Sequence, residues 1–233
     1  MKTVAIIPAG GTGIRMGGDI PKQYLLLGGM PIIVRTLMAL QEAQLVDDIF
    51  LVLPPADVAT APQNLLSRYN LPKVQRILPG GARRQDSVKQ GLDALGPDCD
   101  IVIIHDAVRP FVSPAMIDRT IQEARLSQAV TVGMPIQDTL KRLDDHGCIE
   151  ATVNRERLWC TQTPQAFTTP LLKAAYAAAA DDCFYGTDEA GLVERMGVKV
   201  KMLAGSFDNI KITTVGDLAW GEFILAGRQG ICS

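Results

Sequence analysis

The chain has 233 residues, 47% of them apolar and 21% charged, and a formal net charge of −2. Such a composition supplies a buried core for one large domain or two small ones, and its charge excludes the basic face on which nucleic-acid binding rests. No apolar run approaches the ~20 residues of a membrane span, and the N-terminus enters a strand without the sections of a signal peptide. A cytoplasmic protein with no nucleic-acid or membrane partner is expected. The five cysteines are odd in number, widely spaced and free of any C-x-x-C pair, which argues against a disulfide framework or a zinc site.

The first element is an apolar strand over 4–8. It runs into Ala9-Gly10-Gly11-Thr12-Gly13-Ile14-Arg15-Met16-Gly17, followed by Pro21-Lys22-Gln23-Tyr24. Glycines bring backbone N–H groups up to an anion, and Arg15 and Lys22 add full charges that amides lack. The segment reads as a cradle for a nucleoside triphosphate. A Walker A loop would need Gly-Lys-Ser/Thr, and the dinucleotide fingerprint G-x-G-x-x-G finds Met16 where its third glycine belongs. The acidic ribose ligand expected after the second strand is also missing, since Phe50-Leu51-Val52-Leu53 ends in Pro54-Pro55.

Strand-length apolar runs then alternate with amphipathic segments of helix length. Helices are expected over 31–41, 58–69, 84–95 and 114–126, and strands over 49–53, 74–78, 101–104 and 129–134. The strand over 101–104 reads as buried on both faces, and a proline opens the helix at 114. Right-handed crossovers place these strands in one mostly parallel sheet, with the chemistry in the loops at their carboxyl ends. Between 137 and 159 the period changes to two, and runs over 139–143 and 148–153 flank the turn Asp144-Asp145-His146-Gly147 as a β-hairpin. A polar hairpin has no place in such a core and is expected to project as an arm; an oligomer contact and an edge hairpin on the same subunit both fit it. Helices over 170–179 and 187–195, strands over 198–202 and 210–212, and a helix over 215–225 follow. The expectation is one domain, 1–233, with 136–159 as an inserted arm and no room after Leu225 for a fused second enzyme.

Polar clusters stand at the strand ends. Gly80-Gly81-Ala82-Arg83-Arg84-Gln85-Asp86-Ser87 opens a helix whose N–H groups, with the Ser87 hydroxyl, suit the edge of a base. In His105-Asp106-Ala107-Val108-Arg109-Pro110, Asp106 suits a magnesium ion or a sugar hydroxyl, and Arg109 suits a phosphate. His105 reads as a packed histidine at a strand end rather than a general base. Later clusters at 161–165, 186–189 and 208–211 add hydroxyls, acids and Lys211.

Taken in order, these segments resemble the 2-C-methyl-D-erythritol 4-phosphate cytidylyltransferase family over nearly the whole chain. The resemblance rests on P-A-G-G-x-G-x-R-M from Pro8, P-K-Q-Y from Pro21, G-G-x-x-R-x-x-S from Gly80, H-D-A-x-R-P from His105 and D-T-x-K-R from Asp138. It continues in V-x-R from Val153, T-P-Q from Thr163, T-D-E-A from Thr187 and D-N-I-K from Asp208. It implies an α/β, Rossmann-like nucleotidyltransferase fold, a three-layer sandwich with a projecting β-hairpin arm, and a homodimer joined through those arms. It implies transfer of CMP from CTP to methylerythritol phosphate with Mg²⁺, and catalytic roles for Arg15, Lys22 and Lys211. Pro8, Ala9, Gly10 and Gly11 would surround the triphosphate, and Gly81, Ala82 and Ser87 the cytosine. Asp106 would lie near the ribose and the magnesium ion, as a metal ligand, and Ala107 would also contact the nucleotide. Arg109, Thr163, Thr187 and Lys211 would line the acceptor site, with Thr139 and Arg155 supplied by the partner's arm. Some members carry an acid where this chain has Ala82, so a base contact made through the backbone survives here and one made through a side chain does not. A ribitol 5-phosphate cytidylyltransferase, a sugar-nucleotide pyrophosphorylase and a non-catalytic nucleotide-binding module are the alternatives. Retention of both Arg15 and Lys22 speaks against the last.

Overall fold

The computed structural model describes residues 1–10, 20–61, 65 and 67–230. A seven-stranded sheet forms its centre, built from β1 (Lys2–Pro8), β4 (Asp48–Leu53), β5 (Val74–Pro79), β6 (Cys99–Ile104), β7 (Ala129–Pro135), β10 (Trp159–Thr168) and β11 (Lys201–Ala204). The spatial order is β11-β7-β10-β6-β1-β4-β5. Six strands run one way, and only β10 is antiparallel to its neighbours β6 and β7. The carboxyl ends of the six therefore open on one edge, and β10 brings its amino end to the same edge. Two short strands, β2 (Leu26–Leu27) and β3 (Met30–Pro31), pair beside the sheet.

The period-two alternation of the strands divides the core. Along β1, Ala5 and Ile7 face a cluster with α1 (Ile32–Glu42) and α4 (Pro114–Ser127), while Val4 and Ile6 face another cluster. The latter contains α3 (Arg84–Asp93), α5 (Thr169–Asp181) and α6 (Glu189–Arg195). Fully buried aliphatics such as Ile6, Ile7 and Leu51 contribute about 1.5–3 kcal/mol each, and β6 is buried on both faces as expected. Helix α3 lies so close to β1 that a Cβ on Gly91 would stand 2.5 Å from Ile6 Cγ2. Helix α7 (Val215–Gly230) closes a third cluster around Leu27, Phe111 and Ile224. The starts of α4 and α6 are capped by Ser113 and Asp188, whose side chains accept from the backbone N–H groups of Met116 and Gly191.

Four expectations are corrected. The hydrophobic pattern missed β10, a strand whose centre, Thr161 to Gln165, is polar residues and a proline (WCTQTPQAFT). Residues 210–212 form no strand; Ile210 N–H donates to the Asp208 carbonyl at 2.7 Å, and Ile212 N–H ties the segment to the Val108 carbonyl at 2.9 Å. The strand expected over 198–202 forms at Lys201–Ala204. Of the helix expected over 58–69, residues 58–60 form turns after a 3-10 turn at Pro55–Asp57, while 61, 65 and α2 (Ser67–Tyr69) are helical, with residues 62–64 and 66 outside the described residues.

The hairpin expected between 139 and 153 is present as β8 (Leu140–Leu143) and β9 (Ile149–Val153), paired only with each other. Asp144 fastens the turn: its Oδ1 accepts from His146 N–H at 2.9 Å and Cys148 N–H at 2.8 Å, and Gly147 takes the positive φ of +81° that closes it. Leu143, Ile149 and Trp159 are exposed, so this hairpin is not packed on the core of its own chain.

Candidate active site

Two adjoining clefts occupy the sheet edge. The first, about 200 Å³, is lined by the end of β1 (Pro8, Ala9, Gly10), by Lys22 and Gln23, by the turn before α3, and by Asp106, Ala107 and Lys211. The second is lined by Arg84, Asp106, Arg109, Thr163, Thr187 and Lys211, among others. Arg84, Asp106 and Lys211 belong to both and form the shared wall. The structure thus brings Pro8, Ala9, Gly10, Lys22, Gly81, Ala82, Ser87, Asp106, Ala107 and Lys211 to one cleft, and Arg109, Thr163, Thr187 and Lys211 to the other. Gly11 and Arg15 lie outside the described residues. Thr139 and Arg155 are exposed on or beside the arm, away from both clefts, and Arg155 Nη1 donates to the Gln137 carbonyl.

The floor of the first cleft is close-packed backbone. Ala9 N–H donates to the Val52 carbonyl and Gly80 N–H to the Leu53 carbonyl, both at 2.7 Å, so the ends of β1 and β5 are pinned to β4. A Cβ on Gly10 would meet Ser87 Oγ at 3.2 Å, so the close approach of the two loops leaves little room for a side chain there. Ser87 is buried, accepting from Gly81 N–H at 3.2 Å and donating to the Arg83 carbonyl at 3.1 Å. Its hydroxyl shapes the turn that presents Gly81 and Ala82. The buried Gln23, not anticipated from sequence, donates to the Ala9 carbonyl at 2.9 Å and fixes the segment carrying Lys22 against β1.

Asp106 is the electrostatic centre. Its Oδ1 lies 3.2 Å from Arg84 Nε, and its Oδ2 lies 3.0 Å from Lys211 Nζ and 3.3 Å from Arg109 Nε. Burial pushes its carboxyl up, but Arg84, Lys211 and Arg109 outweigh that and hold it well below the usual carboxylate range. Arg109 is steadied by a bond from Nη1 to the Asn209 carbonyl at 2.8 Å. The backbone around Asp106 is fixed from two sides: its N–H donates to Thr163 Oγ1 at 3.0 Å, and Thr36 Oγ1 donates to the Ala107 carbonyl at 2.9 Å.

His105 is fully buried, and desolvation lowers its imidazole from 6.5 to about 4, so it is neutral near pH 7. The Arg109 carbonyl can only accept, so Nε2 at 3.2 Å carries the proton, and Nδ1 accepts from the Thr163 hydroxyl at 3.0 Å. Both ring nitrogens are occupied. His105 is the packed histidine expected, and Thr163 spends its proton on it rather than on the cleft. A register shift of β10 between Gln162 and Gln165 coincides with this turn of Thr163 toward β6.

Arg84, which the sequence marks only as one of several cations beside glycines and strand ends suited to phosphate contacts, stands in the wall shared by the two clefts. It begins α3 and reaches across to Glu189, with both carboxylate oxygens 2.8 Å from Nη1. Burial works against its charge, yet Glu189 and Asp106 drive its pKa upward. The available signal was its place as the arginine of G-G-x-x-R-x-x-S.

Five basic side chains, Lys22, Arg83, Arg84, Arg109 and Lys211, face two acids, Asp106 and Asp188, along the described lining. With clefts at the carboxyl ends of a mostly parallel sheet, this defines an α/β protein of the nucleotide- and phosphate-handling class. The chain belongs to the family described as IspD, 2-C-methyl-D-erythritol 4-phosphate cytidylyltransferase, whose model matches residues 3–227. A curated relative of that name from Syntrophus aciditrophicus is 45% identical over 98% of both chains, and one from Geobacter metallireducens is 44% identical over 95% of this chain and 97% of its own. Among solved structures, the 4-diphosphocytidyl-2C-methyl-D-erythritol synthase of Anaerococcus prevotii is similar with a TM-score of 0.85 and 33% identity over 97% of this chain and 96% of its own. The Thermus thermophilus cytidylyltransferase follows at 0.80 and 32%, covering 96% and 98%. Among the described residues no helix is long and apolar enough to cross a membrane.

Proposed function

We propose that this chain transfers CMP from CTP to 2-C-methyl-D-erythritol 4-phosphate, giving 4-diphosphocytidyl-2-C-methyl-D-erythritol and pyrophosphate, as a cytoplasmic enzyme. The observation that carries the reading is the pair of clefts joined by Arg84, Asp106 and Lys211, set in a chain of this family. The first cleft is assigned to CTP, with its base against Gly81 and Ala82. The second is assigned to the acceptor phosphate, beside Arg109 and Thr187. An acceptor oxygen attacks the α-phosphorus in line; the new O–P bond forms as the bond to the β-phosphate oxygen breaks, and pyrophosphate takes the leaving pair of electrons. The nucleophile is already anionic, so no general base is needed, in keeping with a His105 whose nitrogens are both engaged. Lys22 and Lys211, with Arg15 assigned the same role, stabilise charge that accumulates on the transferring phosphoryl group.

Among the described residues no three His, Cys, Asp or Glu side chains converge. A magnesium ion would be held chiefly by the triphosphate's own oxygens, with Asp106, whose oxygens already meet Arg84, Arg109 and Lys211, as the carboxylate nearest to it at the shared wall. When bound it supplies neutralisation of triphosphate charge. The chain is assigned to a single domain with 136–159 as a dimerisation arm, and the exposed Leu143, Ile149 and Trp159 support that assignment, with Thr139 and Arg155 serving the partner's acceptor site. The test is pyrophosphate release with Mg²⁺, each of four nucleoside triphosphates, and methylerythritol or ribitol phosphate as acceptor. Turnover is expected with CTP and methylerythritol phosphate; activity confined to ribitol phosphate, or none with any pair, overturns the assignment.

A further inference from the structure

Behind the shared wall of the two clefts lies a buried polar pair that lines neither. Glu189, 1% exposed at the start of α6, offers both oxygens to Arg84 Nη1 at 2.8 Å, and its Oε1 also accepts from the Tyr176 hydroxyl at 3.0 Å. Tyr176 reaches in from α5, and desolvation followed by the Glu189 charge pushes its hydroxyl pKa upward, so it stays a donor. A buried ion pair is a poor source of stability, because desolvation offsets its attraction. What this pair provides is direction: the two Glu189 oxygens, one of them steadied by the Tyr176 phenol, hold the guanidinium so that its Nε points at Asp106 Oδ1.

The other Asp106 oxygen, Oδ2, is bonded to Arg109 and Lys211, the two cations assigned to the acceptor phosphate. With Arg84 holding Oδ1 from the opposite edge, the negative charge of Asp106 is shared three ways. Without it, Asp106 is left to Arg109 and Lys211, which are then withheld from an incoming phosphate. We propose that Glu189 and Tyr176 are positioning residues of the transfer reaction, acting through Arg84 to orient Asp106 and keep Arg109 and Lys211 available to the acceptor. This rests on the assignment of the two clefts made above.

A double-mutant cycle between Tyr176→Phe and Arg84→Gln tests it, with Glu189→Gln as a further variant and circular dichroism confirming the fold of each. Tyr176→Phe is expected to raise KM for methylerythritol phosphate by about 3- to 10-fold, the scale of a charge-assisted hydrogen bond felt at one remove, with KM for CTP nearly unchanged. In the Arg84→Gln background it is expected to add nothing, because the path it acts through is gone. Additive effects, an equal rise in both KM values, or a fall in kcat with both KM values unchanged would overturn the inference. Should Arg84→Gln fail to fold, Arg84→Lys takes its place in the cycle. No turnover by the unsubstituted chain would instead overturn the cleft assignment, and the inference with it.

Discussion

Lowering the pH from 7.5 to 5 perturbs one buried group, His105, in a way whose size follows from its surroundings. Desolvation depresses its imidazole from 6.5 to about 4, and its two ring nitrogens are bonded to Arg109 and Thr163. Between those two values the unfolded chain takes up a proton that the folded chain refuses. The group's stabilising contribution is thus complete above the unfolded value and falls as pH drops from about 6.5 toward 4. Integrating the two titrations to pH 5 gives a loss of about 2 kcal/mol from this side chain. Other carboxylates titrate nearby, so the assay is comparative: urea unfolding of the parent and of His105→Asn at both pH values. Asparagine keeps an acceptor for Thr163 but cannot titrate. The variant is expected to be less stable at pH 7.5 yet to lose about 2 kcal/mol less than the parent on acidification. An identical pH dependence in both proteins would refute the argument.

Lys22→Ala is expected to lower kcat by at least ~10², the range for loss of one transition-state donor, with thermal unfolding unchanged; near-normal turnover would reject its role. Gly91→Ala gains helix propensity worth up to about 1 kcal/mol, but its methyl would meet the fully buried Ile6 at 2.5 Å. Overpacking of about 1–3 kcal/mol wins, and a lower Tm with intact substrate affinities is expected. Mixing Arg155→Ala with Lys22→Ala subunits tests the arm. If each arm completes the partner's site, mixed dimers regain activity that neither variant shows alone, whereas sites built within one subunit would give no recovery.

The framework was legible where burial is written in apolar runs. Strands β1, β4, β6 and β7 carry predominantly apolar runs, and Pro114 marked the start of α4. Strand β10 escaped because its buried Thr163 and Gln165 are polar and satisfied by partners distant in sequence: Gln165 Nε2 donates to Thr131 and Asp188, contacts that no local period encodes. Ile210-Lys211-Ile212 alternates like a strand, but its backbone is engaged by the loop after β6 and not by a sheet neighbour. In the site, cations beside glycines and strand ends were visible one by one. Their convergence on Asp106, and the hold of Glu189 on Arg84, depend on α3 and α6 meeting across the sheet edge. The same holds for Gln23, whose role is set by a single carbonyl on β1.

In the proposed reaction an acceptor phosphate becomes joined to CMP at the wall of Arg84, Asp106 and Lys211. Phosphorus NMR of the chain with CTP, methylerythritol phosphate and Mg²⁺ tests it most directly. The acceptor's phosphomonoester resonance is expected to be replaced by a diphosphate pair as an equal amount of pyrophosphate appears. Consumption of CTP with the phosphomonoester left intact would contradict it.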